Sequence, residues 1–260
     1  MDNSFLSVEN LSIRFGGLQA LNQVSFQVDR GEVFAIIGPN GAGKTTIFNC
    51  INGAYHPERG CIFFQGENLV GLTPYQVAQR GIARTFQNIE LFRNMTVLDN
   101  VLLGTHLRRR PGILSQVLFT GKVREEEFRD RKKAEEVLDL LELQAHRWSL
   151  ISGLPYGIQK KVELARALAM DPRLLLLDEP SAGMNLEESE DLSFWIEDIH
   201  AEMGITILLV EHDMRLVMQL ADRITVLEYG RQVALGPPEE IQRDPKVINA
   251  YLGEDEPVKT

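Results

Sequence analysis

The glycine-rich stretch GPNGAGKT, residues 38–45, constrains the fold of this chain more than any other feature. It matches the pattern GxxxxGK[ST], and it stands between the apolar run VFAIIG and the helix-like run TTIFNCI. A strand, a glycine-rich turn and a helix N-terminus together aim backbone N–H groups at phosphate oxygens. The stretch therefore predicts a phosphate-binding loop inside an α/β fold.

Two side chains at the end of this loop have defined roles in sites of this kind. We expect Lys44 to reach the β- and γ-phosphates and the hydroxyl of Thr45 to ligate Mg²⁺. The nucleotide-binding residues predicted for the loop are Gly38, Pro39, Asn40, Gly41, Ala42, Gly43, Lys44, Thr45 and Thr46.

Polar side chains follow two further apolar runs. LLLL at 174–177 precedes Asp178 and Glu179, and TILLVE precedes His212. Since the carboxyl ends of parallel strands meet at one edge of a sheet, these side chains are expected to point into the same crevice. Asp178 fits an acidic partner of Mg²⁺, and Glu179 fits the residue that orients and deprotonates the attacking water. His212 is placed to contact the γ-phosphate, and Asp213 is predicted to cap the next helix.

The pattern of apolar residues changes twice along the chain. The first 70 residues carry short runs typical of strands and hairpins. From about Thr73 to Ala169 the pattern is helical, with Phe128, Val137 and Leu138 predicted on one apolar face together with Leu141. After that, apolar strands alternate with helices, which is typical of a parallel sheet. The sequence thus predicts an α/β fold with β and helical insertions.

Composition excludes several classes of function. The net charge of −10 disfavours nucleic acid as a partner, because phosphate neutralisation needs a basic face. The apolar runs are far shorter than the roughly 18 residues that cross a bilayer, and MDNSFLSVEN lacks the features of a signal peptide. Cys50 and Cys61 are expected to be reduced packing residues. The basic cluster RRRPG at 108–112 fits either a solvated loop or a contact with a partner or anionic headgroups.

These motifs in this order resemble the ATP-binding subunit of an ATP-binding cassette (ABC) transporter over nearly the whole chain. The resemblance implies a P-loop NTPase (RecA-like) core with an antiparallel β subdomain and a helical subdomain at about 88–165, in a single domain of 1–260. It also implies ATP and Mg²⁺ as ligands. Gln87, which carries no motif by itself, corresponds to the Q-loop residue that senses Mg²⁺ and the transmembrane partner. His212 corresponds to the switch histidine, Phe15 to the aromatic that stacks on adenine, and SAGMN at 181–185 to the D-loop.

The stretch LPYGI at 154–158 occupies the place of the family signature LSGGQ. In the family, two cassettes pair head to tail, and each signature closes over ATP that is held by the other chain. Here Leu154 and Gly157 match the pattern, whereas Pro155 replaces serine, so Gly157 is expected to contact the partner's ATP. Because a homodimer would carry Pro155 in both sites, the sequence predicts a heterodimer with a second cassette, with a homodimer as the alternative.

Within the family, the YG of the signature, the GMN of the D-loop and the closing GPPEEIQRDPKVINAYLGE resemble the LivG-type subunit of branched-chain amino acid importers. Urea or amide uptake, lipopolysaccharide export, a non-transport ABC ATPase and a nucleotide-binding regulator that never turns over are the alternatives. The importer interpretation implies membrane-spanning permease subunits, an indirect link to a periplasmic or surface binding protein, and a peripheral location on the cytoplasmic side of the inner membrane.

Overall fold

The structure is a computed structural model that describes residues 4–105 and 121–252. It divides into two compact units, the first formed by 1–77 and 176–260 and the second by 78–175. The helical subdomain expected at about 88–165 falls within the limits of the second unit. The basic cluster at 108–112 lies outside the described residues.

An antiparallel sheet occupies the start of the first unit. Its strands are β1 (Leu6–Phe15), β2 (Leu18–Val28), β4 (Arg59–Phe64) and β5 (Glu67–Asn68), in the order β2-β1-β4-β5. Leu6 pairs with Val28 on one side and with Phe64 on the other, and all three side chains are buried. The predicted antiparallel β subdomain is confirmed.

The core of the first unit is a second sheet, and three of its strands are almost free of polar residues. It contains β3 (Val33–Ile37), β7 (Leu174–Asp178), β8 (Thr206–Val210), β9 (Arg223–Glu228) and β10 (Arg231–Gly236), in the order β10-β9-β3-β8-β7. β3 runs parallel to β8 and β9, and β10 is antiparallel to β9. Every residue of β3, β7 and β8 is buried, which explains their continuous apolar character.

The helices of the described residues are α1 (Lys44–Ile51), α2 (Pro74–Gln79), α3 (Val97–Thr105), α4 (Gly121–Leu140), α5 (Tyr156–Ala169), α6 (Leu186–Met203), α7 (Met214–Leu220), α8 (Pro238–Ile241) and α9 (Pro245–Leu252). Side chains fix where two of them begin. At the start of α6, the Asn185 side chain accepts from the backbone amide of Glu188, and the Glu188 carboxylate accepts from the backbone amide of Asn185. Asp213 caps α7 by accepting from the Arg215 amide, as predicted.

In the second unit, the irregular segment 85–96 is fixed by hydrogen bonds with a side chain of the helix that follows it. Asn100 on α3 is fully buried, and its amide group exchanges hydrogen bonds with both backbone groups of Phe92. α3 approaches α5 closely at Gly104, where an added Cβ would lie 2.2 Å from the Arg166 carbonyl oxygen. A short strand, β6 (Ile82–Arg84), breaks the region that was predicted to be helical throughout.

The predicted apolar face of α4 is wrong at one position. Val137, Leu138 and Leu141 are buried, but Phe128 is 72% exposed. Phe128 lies nine residues before Val137, and nine residues correspond to about two and a half helical turns. Its side chain therefore leaves the helix on the side opposite to Val137.

Candidate nucleotide-binding and hydrolysis site

The glycine-rich loop connects β3 to α1 and wraps around its own lysine. Lys44 is buried, and its ammonium donates to the carbonyl oxygens of Gly38 at 2.6 Å and Pro39 at 3.0 Å. Gly38 has a φ of +147°, and an added Cβ would lie 2.1 Å from the Leu227 carbonyl oxygen. The curl of the loop thus depends on backbone positions that only glycine fills without strain.

Two strands on one side of β3 carry the predicted catalytic side chains at their ends. β8 lies next to β3, with β7 beyond it. Asp178 is buried, and Glu179 has a φ of +46°, a left-handed conformation that is uncommon for glutamate. His212, which follows β8, places Nδ1 3.7 Å from Oε2 of Glu179. The structure therefore brings together Glu179 and His212, as the sequence predicts for one edge of a parallel sheet.

Glu211, which the sequence analysis did not single out, links the loops after these two strands. Its side chain is fully buried. One carboxylate oxygen accepts from the Ser181 amide at 2.9 Å, and the other accepts from the amides of His212 at 2.7 Å and Asp213 at 3.1 Å. A charged residue directly after a buried strand, where the chain turns into a helix, is the signal that points to it.

Phe15 lies at the end of β1, 44% exposed, and makes an edge-to-face contact with Tyr55 at 5.1 Å between ring centroids. Both rings present an apolar surface to solvent. Such a surface suits stacking on a base, and Tyr55 packs against one edge of it. Sequence reasoning missed Tyr55, because an isolated tyrosine in a loop carries no motif.

Gln87 belongs to the second unit, where side chains of α5 bind the backbone around it. Lys160 is buried, and its ammonium donates to the carbonyl oxygens of Phe86 at 3.2 Å and Gln87 at 2.7 Å. Glu163, also buried, lies 3.7 Å from the Lys160 ammonium and accepts from the Glu90 amide. Burial raises the pKa of Glu163, and the charge of Lys160 opposes that rise.

The signature stretch forms the start of α5. Pro155 is the N-cap residue of this helix. A serine at an N-cap supplies a hydroxyl that accepts from the amides of the first turn. No side chain caps this helix, so the hydroxyl acceptor that serine would offer to the amides of Gly157 and Ile158 is missing.

The donor set suits a Mg²⁺ ion that arrives with a nucleotide. Thr45 is an exposed hydroxyl in the first turn of α1, and Asp178 is a buried carboxylate at the end of β7. In the part of the chain that the structure describes, no group of three or more His, Cys, Asp and Glu side chains is arranged to hold a metal. Mg²⁺ sites in nucleotide-binding proteins commonly use one or two protein oxygens together with phosphates, and Thr45 and Asp178 fit that requirement.

The remaining sequence expectations concern cysteine and membrane segments. Cys50 and Cys61 are both free, and burial raises the pKa of the Cys50 thiol to about 12. Among the described residues, none of the helices combines the length and apolar character that a membrane span requires.

Comparison with known proteins agrees with this geometry. Residues 21–182 match the ABC transporter family, and residues 231–257 match the branched-chain amino acid ATP-binding cassette transporter family. In solved structures, the ADP conformation of an ATP-binding cassette of an ABC transporter superposes with a TM-score of 0.84 at 32% identity, covering 96% of this chain and 99% of that one. The chain belongs to the ABC transporter family as an ATP-binding, ATP-hydrolysing cassette.

Its relatives define the branch of the family. The high-affinity branched-chain amino acid transport ATP-binding protein LivG of Escherichia coli is 43% identical over 98% of this chain and all of the relative. BraF of Pseudomonas aeruginosa, described in the same words, is 42% identical over the same shares. A probable LivG of Archaeoglobus fulgidus is 37% identical over 95% of each chain. The resemblance to the LivG-type cassettes is thereby confirmed.

Proposed function

We propose that this chain hydrolyses ATP to energise the import of branched-chain amino acids: leucine, isoleucine and valine. The observation that carries the proposal is the Glu179–His212 pair, 3.7 Å apart at the edge of the sheet whose central strand leads into the phosphate-binding loop. The solute class is supported by the names of LivG and BraF and by the family match at 231–257. No observation favours urea, amides or lipopolysaccharide.

Each candidate site residue has a separate role in ATP binding or hydrolysis. The loop amides and Lys44 bind the phosphates of ATP, and Phe15 stacks on the adenine. Glu179 orients the attacking water and accepts its proton, while His212 contacts the γ-phosphate. With ATP bound, Thr45 and Asp178 would hold Mg²⁺, which would neutralise phosphate charge.

Replacement of Glu179 by glutamine tests the assignment of the base. We expect ATP turnover in the assembled transporter to fall about a hundredfold or more, with ATP binding retained, because an amide cannot accept the proton. Glu202→Gln makes the same change on an exposed residue of α6 and serves as the control. Unchanged turnover in Glu179→Gln would exclude this residue as the base.

Uptake measurements test the solute class. The chain, expressed with candidate permease subunits in an Escherichia coli strain that lacks LivG, should restore uptake of labelled leucine. An excess of unlabelled isoleucine or valine should compete, and urea should not. Restoration of urea or amide uptake without leucine uptake would contradict the proposed solute.

The proposal includes a set of partners. The cassette binds membrane-spanning permease subunits from the cytoplasmic side of the inner membrane, and a periplasmic or surface binding protein delivers the solute to that complex. The second cassette is a different chain with a complete signature, because Pro155 provides no hydroxyl at the N-cap of α5. Gly157 contacts the ATP held by that partner.

ATP-dependent dimerisation tests the choice of partner. Glu179→Gln, purified with ATP, should remain monomeric alone and should dimerise with a candidate partner cassette. A tight homodimer of this variant, together with full turnover by the native chain alone, would contradict the heterodimer.

A further inference from the structure

Glu211 is a buried carboxylate with an unusual set of partners. Its side chain has no exposed surface, although it follows β8 directly at the edge of the sheet where the candidate catalytic residues lie. The hydrogen bonds described for its carboxylate come from backbone amides: Ser181, His212 and Asp213. Hydrogen bonds to a charged acceptor are about twice as strong as those between neutral groups, so each bond holds its segment firmly.

The two carboxylate oxygens serve two different segments of the chain. One oxygen binds the amide of Ser181, which lies two residues after Glu179. The other binds the amides of His212 and Asp213, at the start of α7. A second bond joins the same segments, because the Glu179 amide donates to the Val210 carbonyl oxygen at 2.8 Å. Glu211 is therefore a rigid bridge between the loop after β7 and the loop after β8.

We infer that Glu211 is a positioning residue for ATP hydrolysis, which fixes the separation of Glu179 and His212. The inference rests on the roles proposed above for those two residues. Glu179 holds a left-handed conformation, φ +46°, which persists in proteins only where surrounding bonds maintain it. The bonds at Val210 and Ser181 enclose Glu179 on both sides. Small errors in the placement of a catalytic group reduce turnover strongly, whereas ground-state binding of ATP by the phosphate loop does not depend on them.

Glu32 provides a matched control in the same unit. It is buried, it accepts from the Asp29 amide, and it pairs with Arg223. Glu32 precedes the first residue of β3, however, whereas the phosphate-binding loop follows the last residue of that strand. Glu32→Gln therefore reports the general effect of neutralising a buried carboxylate far from the site.

The experiment compares Glu211→Gln with Glu32→Gln in the full-length chain. The glutamine amide has one acceptor oxygen, so in either orientation its NH₂ group faces the amide of one segment. We expect kcat for ATP in the assembled transporter to fall about tenfold to a hundredfold, with the Kd for ATP within about threefold of the native value. Hydrogen exchange in Glu211→Gln should accelerate at the amides of residue 181 and of 212–213, and Glu32→Gln should leave these amides protected.

A second variant keeps the test valid if Glu211→Gln does not fold. Glu211→Asp retains the charge and the bonds to the adjacent amides, but it is one methylene too short to reach Ser181. It should fold, exchange faster at Ser181 and turn over more slowly. Turnover by Glu211→Asp within about threefold of the native value, or a loss in Glu211→Gln no greater than that of Glu32→Gln, would overturn the inference. Normal turnover by Glu179→Gln would instead overturn the proposed function, independently of these results.

Discussion

The two units hold their functional segments by opposite means. In the first unit the loops after β7 and β8 are joined by backbone amides that converge on Glu211. In the second unit the segment 86–90 is held by side chains of α5, with Lys160 donating to two carbonyl oxygens and Glu163 accepting from one amide. In the first unit one buried carboxylate accepts all three bonds, whereas in the second a buried cation and a buried carboxylate share them. The second unit therefore depends on a buried ion pair, and removal of either partner leaves the other charge buried without its counter-ion.

The second unit also differs from the first in having charged side chains, with pKa values shifted by burial, next to its functional segment. The Lys160–Glu163 pair is buried, and desolvation raises the pKa of Glu163. Burial likewise lowers the pKa of Arg166, which donates to the Glu90 carbonyl oxygen from the same helix. The charges of Glu163 and Arg166, on one face of α5, are thus less favourable at these positions than in water. Since α5 begins at the signature, this face ties the signature and the segment 86–90 into one body.

Replacement of Lys160 by methionine should break the second unit with the largest effect. The change leaves the carboxylate of Glu163 buried without the adjacent ammonium and removes the donor to Phe86 and Gln87. Removing one partner of a buried ion pair costs about 3–5 kcal/mol, and chemical unfolding should show a loss of that size.

Lys161→Met is the matched control for this change. Lys161 is also buried on α5, but its ionic partner Glu142 is mostly exposed. The loss of that ion pair should cost no more than about 1 kcal/mol. Equal losses in the two variants would show that the buried pair has no special role in holding the second unit.

In the first unit, we expect the largest loss of stability from a substitution that disturbs the backbone of the phosphate-binding loop. Gly38→Ala places a Cβ 2.1 Å from the Leu227 carbonyl oxygen at a φ of +147°, so the loop must shift. We expect a loss of about 2–4 kcal/mol in the free energy of unfolding and weaker binding of ATP, measured by chemical unfolding and by titration with nucleotide. Gly41→Ala is the control, because Gly41 has a φ of +79° but no atom within 4 Å of an added Cβ. Its loss should stay near 1 kcal/mol, from strain alone.

The same contrast explains what sequence could predict. The phosphate-binding loop and the residues after β7 and β8 were found because their chemistry is tied to short apolar strands with a fixed direction. Glu211 and Lys160 were missed, since charged residues are normally read as exposed. The position of Glu211 directly after an apolar strand is a local signal, whereas nothing local marks Lys160. Phe128 was placed wrongly because the remaining apolar residues of α4 follow the helical period without it. Contacts between distant segments are set by the fold and leave no local pattern.

Glu163→Gln should have the smallest effect on the free energy of unfolding, but the direction of its pH dependence can be predicted. Because the folded pKa of Glu163 lies above its ordinary value of 4.5, the stability that this shift contributes is complete below 4.5 and is lost as pH rises through the folded pKa. Glutamine has no proton to lose in this pH range. The stability of the variant relative to the native chain should therefore rise with pH. Near neutral pH it should lie within about 1 kcal/mol of the native chain, because the amide oxygen still accepts from Glu90 and the Lys160 ammonium keeps its carbonyl acceptors at Phe86 and Gln87.

Chemical unfolding at a series of pH values measures this difference, with Glu136→Gln as the control on an exposed ion pair of α4. The control should show no trend above about 0.5 kcal/mol. A relative stability of Glu163→Gln that falls with rising pH would mean that Lys160 more than offsets the desolvation of the carboxylate. The ion pair would then stabilise the second unit by itself, and the contrast with the amide-held loops of the first unit would lie in geometry alone.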